Sequence, residues 1–128
     1  EAVTIRRTLV AANPDAHLPG LAGSLNNLSV RLGDAGRSEE GLAAVREAAG
    51  HYRTLVAANP DAHLPGLASA LSNLAVRLGA VGRREEGLAA VQEAVTIRRT
   101  LTETYPNVFE PDLQQSLNVA VWLEGLDP

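Results

Sequence analysis

The stretch that decides the fold is RTLVAANPDAHLPGLA, residues 7–22, because residues 53–68 spell it again letter for letter. A duplicated reactive site would place a histidine (His17, His63), an aspartate and two prolines in each copy; a duplicated structural joint would do the same. The surrounding chain decides between them. Asn13 and Asn59 lie 46 positions apart, most residues of 1–46 reappear at that spacing in 47–92, and EAVTIRRTL, residues 1–9, returns at 93–101. Self-similarity at a period of tens of residues marks stacked supersecondary units, none of which can bury its apolar face alone. The opening phrase also recurs inside a unit, so the chain is expected to begin in mid-element, with the start of the array elsewhere.

Within one unit, leucines at 18, 21, 25, 28 and 32 advance by threes and fours, which puts them on one stripe of a helix, and 64, 67, 71, 74 and 78 repeat the pattern. Pro19 and Pro65 suit a first helical turn, where a missing N–H costs nothing, and Gly33, Gly36, Gly79 and Gly82 suit its end. This is helix A of the unit. Glu39 and Glu40 then open a second apolar pattern (Leu42, Val45, Ala49, Tyr52, Val56) that runs to Ala58, where Asn59 before a proline is pushed to extended geometry. This is helix B. The reading along the chain is therefore the end of a B helix at 1–12, A at 19–33, B at 38–58, A at 65–79, B at 84–104 and a last A-like helix at 111–124. With no alternating strand pattern, the expected fold is all-α, a solenoid of about six helices in antiparallel pairs. Its divisions fall at 1–12, 13–58, 59–104 and a degenerate capping segment at 105–128, with LEGLDP (residues 123–128) as a natural end of the array.

Composition removes several functions. The 128 residues include no cysteine, so disulfides, thiolate metal sites and cysteine nucleophiles are excluded. There is no lysine, so the phosphate-binding G-x-x-x-x-G-K loop is absent, and no G-x-S-x-G elbow occurs. A net charge of −4 argues against a nucleic-acid partner. No apolar run is long enough to suggest a membrane span, and a cytoplasmic location is expected. The acidic pairs Glu39–Glu40 and Glu85–Glu86 read as solvated helix starts, since adjacent helical residues point apart. His17 and His63 occupy equivalent joint positions about one interhelical distance apart, on the order of 8–10 Å, too far to share one metal. His51 reads as a packing substitution for Ile5 and Ile97. The pairs Arg6–Arg7 and Arg98–Arg99, with Arg53, are expected to bridge neighbouring units to glutamates such as Glu47 and Glu93, the alternative being a ladder down the B helices that meets an acidic partner. No catalytic residue, metal ligand or cofactor is assigned, and the chain reads as a non-enzyme.

The segments LNNLSVRLGDAGRSEEGLAAVREA (25–48) and LSNLAVRLGAVGRREEGLAAVQEA (71–94) resemble the tetratricopeptide repeat. The pattern positions of that family fall on Leu25, Leu28, Ser29, Leu32, Gly36, Gly41, Val45 and Ala48, and on their counterparts 46 residues later. The LNNL phrase, the GR-x-EE turn and the EA-x-x-I-R-R ending look like the kinesin-light-chain branch. Two departures stand out: the unit is longer than the usual 34 residues, and Gly41 and Gly87 replace an alanine. The resemblance implies a protein-interaction scaffold whose A helices line a concave surface. On that face the binding candidates are Asn26, Asn27, Val30 and Asp34, then Ser69, Ser72, Asn73 and Val76, the alternative for Asn27 and Asn73 being that they only tie neighbouring helices together. The expected partner is a protein or peptide. The alternative is a regulatory or self-assembly module of a larger signalling NTPase or effector, with pairing between copies through exposed end helices. Abundant alanine and arginine without lysine suggest a high-GC bacterial source.

Overall fold

The computed structural model describes residues 2–127, apart from the Asp15 side chain; Glu1 and Pro128, which the sequence assigns to the first helix and to the end of the array, lie outside the described residues. Six helices follow one another: α1 (Ala2–Ala12), α2 (Pro14–Asp34), α3 (Ser38–Ala58), α4 (Pro60–Ala80), α5 (Arg84–Thr104) and α6 (Pro106–Glu124). No strand occurs among the described residues. Each helix packs on the next, as expected of an all-α helical-repeat solenoid.

The two kinds of connection differ from the sequence reading in an instructive way. Between an A helix and its B helix lies a glycine turn: Gly36 adopts φ +78° and Gly82 φ +82°, a region open to glycine at little steric cost. Arg37 N–H donates to the Leu32 carbonyl and Gly36 N–H to that of Gly33, and the second copy repeats both bonds, the paired pattern that closes helices at a left-handed residue. Gly33 and Gly79, expected to share in stopping the helix, stay inside it.

Between a B helix and the next A helix, the expected DAHLPG joint shrinks to one residue. Asn59 (φ −152°, ψ 87°) ends α3 and begins α4 in a single step, as Asn13 does between α1 and α2. The prolines at N1 are therefore Pro14, Pro60 and Pro106, five positions earlier than the sequence reading placed the helix starts. Pro19, Pro65 and Pro111 lie inside the helices instead. The reason is local: Pro60 arrives with a helical φ, and the hydrogen bond that Pro65 cannot donate would have gone to the carbonyl of Asp61, an exposed residue whose oxygen can turn to water. The extra length of the unit thus sits in both helices, each of 21 residues in the complete copies.

The rows of A and B helices are not equivalent. Helices α2 and α4 touch, as do α4 and α6, whereas among the described residues no Cα of α3 comes within 8 Å of α1 or α5. The A row is the tight row, so the stack curves with α2, α4 and α6 on its inner side. The core between the rows is aliphatic: Leu21, Leu25, Leu67, Leu71, Val45, Val91 and Leu123 are almost wholly buried. Helices approach most closely where glycine permits it. A Cβ at Gly41 would stand 3.0 Å from the Ser29 carbonyl oxygen, and one at Gly87 3.1 Å from that of Ala75. Glycine at these two positions therefore exchanges helix propensity, about 1 kcal/mol against alanine, for close helix packing.

Candidate functional site

The eight candidate residues separate into seam and surface. Asn26, 8% exposed, donates to Ser69 Oγ at 3.2 Å and accepts from Asn73 Nδ2 at 2.8 Å, so these three side chains lock α2 to α4. Ser72 does the same one unit on, donating to Gln115 Oε1 at 3.0 Å and lying 3.0 Å from the Ser116 hydroxyl. Asn73 is thus tied to its neighbouring helix. Asn27, its counterpart in the first copy, is exposed and lines a shallow depression with Ala2, Ser24, Val30 and Arg31. Asp34 is exposed, and Val76 is half-buried.

Val76 belongs to a second depression, formed with Gln115, Asn118, Val119 and Trp122 of α6. Its lining is almost entirely apolar. Trp122, the only tryptophan of the chain, packs on Gly79, whose missing Cβ would stand 2.7 Å from the ring. In the preceding unit the side chain of Arg77 rides over Gly33 in the same manner. The arginine's place in the seam is therefore shared by Leu123, its counterpart in sequence, and the indole, which keeps 42% of its surface exposed. None of Gln115, Asn118 and Trp122 was singled out for binding from sequence. The one available signal was a lone tryptophan on the most divergent copy of a helix otherwise repeated closely.

Gln115, on the wall of this depression, accepts a hydrogen bond from a buried cation. Arg98 of α5 is 7% exposed, and its Nη1 donates to the Asp112 carbonyl at 2.9 Å, to Gln115 Oε1 at 2.8 Å and to Ser116 Oγ at 2.7 Å. All three acceptors are neutral. Burial pushes the guanidinium below its ordinary range, and the Asp112 carboxylate, beyond ion-pair distance, pulls it part of the way back. In the earlier units the equivalent positions hold Arg6, which covers Gly20, and Tyr52, whose ring covers Gly66; neither glycine has a counterpart in the third unit, where Asp112 stands. The pair Arg98–Arg99 is thus split between two environments.

On the outer side, the splayed B helices are bridged by long ion pairs. Arg7 grips Glu47 with two bonds of 2.6 and 2.7 Å, Arg53 grips Glu93 with two of 2.8 Å, and Arg46 reaches Glu86 at 3.3 Å. The Arg7 and Arg53 bridges are those read from the sequence, the Arg46–Glu86 bridge was not foreseen, and Arg98, expected to bridge as well, is instead buried against neutral acceptors. Arginine hydrogen bonds hold the Glu47 and Glu93 carboxyls below the usual range, against the opposing effect of partial burial. His51 Nε2 lies 3.1 Å from Glu47 Oε2, so the half-buried ring, expected as a packing substitution, is a partner in this bridge. His17 and His63 are half-buried at their helix starts, and among the described residues no three His, Cys, Asp or Glu side chains gather in a metal-binding group. No helix among them is long and apolar enough to cross a membrane.

A family model described as the tetratricopeptide repeat matches residues 67–103, the stretch from the body of α4 to the end of α5. The match supports a repeat protein of tetratricopeptide type, a family of non-catalytic scaffolds that generally mediate protein–protein interaction. Comparison with curated proteins and with solved structures gives no match.

Proposed function

We propose that the chain is a scaffold that binds a peptide or an exposed segment of a partner protein along the inner row of α2, α4 and α6. One observation carries this reading. The helices that touch across units are the A helices, and the surface they leave open on the inside of the curve, Val30, Asp34, Val76 and Trp122, is low in charge and notched between helices. Such a surface admits an extended or helical segment lying across the helices, with amide side chains within reach of its backbone. Asn27 can serve such a segment directly. Asn26, Ser69, Ser72 and Asn73 support the site by fixing the helix spacing.

Residues 105–128 fit the role of a capping segment, on 13–58 and 59–104 as successive units. Leu64 and Leu78 of the leucine stripe are answered at the same spacing by Glu110 and Glu124, which puts charge on α6 where the preceding A helix is apolar, as befits a terminal repeat, while Val108 and Val121 of the same helix stay exposed. Arg84 adds to this by donating to the Leu123 and Glu124 carbonyls at the C-terminus of α6. A kinesin-light-chain-like long repeat of bacterial origin, working in the cytoplasm, is the setting this reading assumes.

The test is a set of peptide ligands selected against the intact chain and then measured on variants. Val30→Arg and Val76→Arg are expected to weaken binding at least tenfold, while the outer-face variant Arg46→Ala leaves it unchanged. Equal binding by all three would move the interface off the inner row.

A second reading, self-assembly or docking on a neighbouring domain, has its own observation. Leu9 of α1 is 38% exposed where its counterpart Leu55 of α3 is 9%, and Ile5 is also open. α3 is covered by an A helix on each side, α1 by one. A copy of the chain could supply the missing helix. A light-scattering concentration series that stays at monomer mass would rule out the self-assembly form.

A further inference from the structure

We propose that the depression walled by Val76, Val119 and Trp122 takes an aliphatic side chain from an acidic segment, and that an adjoining carboxylate of that segment is received by the Gln115 side-chain amide. The inference rests on the inner-row reading above and adds to it the chemistry of the partner.

The polarity of the site follows from its buried arginine. A guanidinium can only donate hydrogen bonds, so the atom of Gln115 that faces Arg98 at 2.8 Å must be its oxygen, and the Ser72 hydroxyl donates to the same atom. With the oxygen turned inward and held by two donors, the NH2 group of Gln115 has no acceptor among the described residues and is available at the rim. Asn118 repeats the arrangement on the next turn: its oxygen accepts from Gln114 at 3.0 Å, and its NH2 group likewise has no acceptor among them. The rim therefore offers donors.

Charge acts in the same direction. A buried cation whose hydrogen bonds all go to neutral acceptors keeps a field that water screens poorly on the protein side and that the Asp112 carboxylate, beyond ion-pair distance, offsets only in part. Gln115 is the group through which that field reaches the depression, since its own dipole has the positive end outward. Carboxylate oxygens, which accept and do not donate, match this rim better than hydroxyls or ammonium groups do. The floor selects the rest of the ligand: Val76, Val119 and Trp122 present a shallow apolar surface, which an aliphatic side chain next to the carboxylate can cover. The chain as a whole is acidic, so this local preference for an acidic partner runs against its net charge and confines binding to the neighbourhood of Arg98.

A random library of capped peptides about ten residues long, selected on the intact chain, tests the proposal. Enrichment of Leu, Ile or Val within two residues of Asp or Glu is expected, with a blue shift of the Trp122 emission when a selected peptide is added. Gln115→Glu supplies Arg98 with a carboxylate and removes the outward donor; it is expected to weaken these peptides at least tenfold without lowering the unfolding midpoint. Trp122→Ala is expected to weaken them similarly. Selected peptides lacking an acidic residue, or peptides that bind Gln115→Glu and Trp122→Ala as well as the parent, would overturn this site while leaving the inner-row reading standing if Val30→Arg or Val76→Arg still weakens them. Failure of the library to enrich any peptide would count against both.

Discussion

Arg53 and Glu93 face each other across the gap between α3 and α5 in a two-pronged pair, both bonds 2.8 Å, although the backbones of the two helices stay more than 8 Å apart, Cα to Cα, along their described length. Arg7 and Glu47 do the same between α1 and α3. The outer row is therefore held by long side chains and the inner row by packing and short polar bonds. Because both partners of the outer pairs are substantially exposed, each pair contributes modestly, on the order of 0.5 kcal/mol. Arg53→Ala and Glu93→Ala, combined in a double-mutant cycle by urea unfolding, are expected to give a coupling energy below about 1 kcal/mol that shrinks as salt is raised.

Acid should weaken the same bridges. Arginine hydrogen bonds lower the carboxyl pKa of Glu47, Glu86 and Glu93 from an ordinary value of 4.5 in the folded chain. Around and below that value the unfolded chain binds more protons than the folded one, so stability rises with pH there. The contribution is fully present above about pH 5 and is lost as pH falls through the lowered folded values. Thermal unfolding followed from about pH 6 to about pH 3 should show the midpoint falling, and Glu93→Gln should reduce the slope of that fall.

The inner seam predicts a larger effect. Asn26 donates to Ser69 and accepts from Asn73 while almost fully buried, so Asn26→Ala strands two partners in a poorly hydrated gap. A loss of about 1–3 kcal/mol is expected. The companion change Asn73→Ala should cost less, because Asn73 is only half-buried. Chemical denaturation of each variant checks the order.

Glycines give a paired prediction with opposite signs. A Cβ at Gly50 meets nothing within 4 Å on the exposed side of α3, so Gly50→Ala should stabilise by about 0.5–1 kcal/mol through helix propensity. At Gly66 the same Cβ would land on the Tyr52 ring, and Gly66→Ala should destabilise by about 1–3 kcal/mol through overpacking. Unfolding midpoints for the two variants are sufficient to separate them.

The sequence made the architecture readable because the leucine stripes and glycine turns recur at a fixed spacing, and the B-helix bounds at Ser38–Ala58 and Arg84–Thr104 follow from them. The A-helix starts were less legible. Two prolines stand near each start, and sequence alone does not say that Pro14 or Pro60 begins the helix while Pro19 or Pro65 rides inside it. The outer ladder could be read because arginine and glutamate recur with the repeat. The Arg98–Gln115–Ser72 network could not, since it forms only where the unit 59–104 meets the degenerate segment 105–128, and there repetition no longer points to anything. Seam and groove residues were likewise confused: Asn26 and Asn27 are neighbours in sequence, and whether an asparagine turns into the α2–α4 seam or toward solvent depends on about 100° of helix rotation.

Which row of helices meets the partner is the deciding question for a scaffold of this kind. Backbone amide shifts of the isotopically labelled chain, recorded while a peptide selected on that chain is titrated in, address it directly. The perturbed amides are expected on α2, α4 and α6, centred on Val30, Val76 and Trp122. Perturbations confined to α1, α3 and α5, along the Arg7–Glu47 and Arg53–Glu93 ladder, would contradict binding on the inner row.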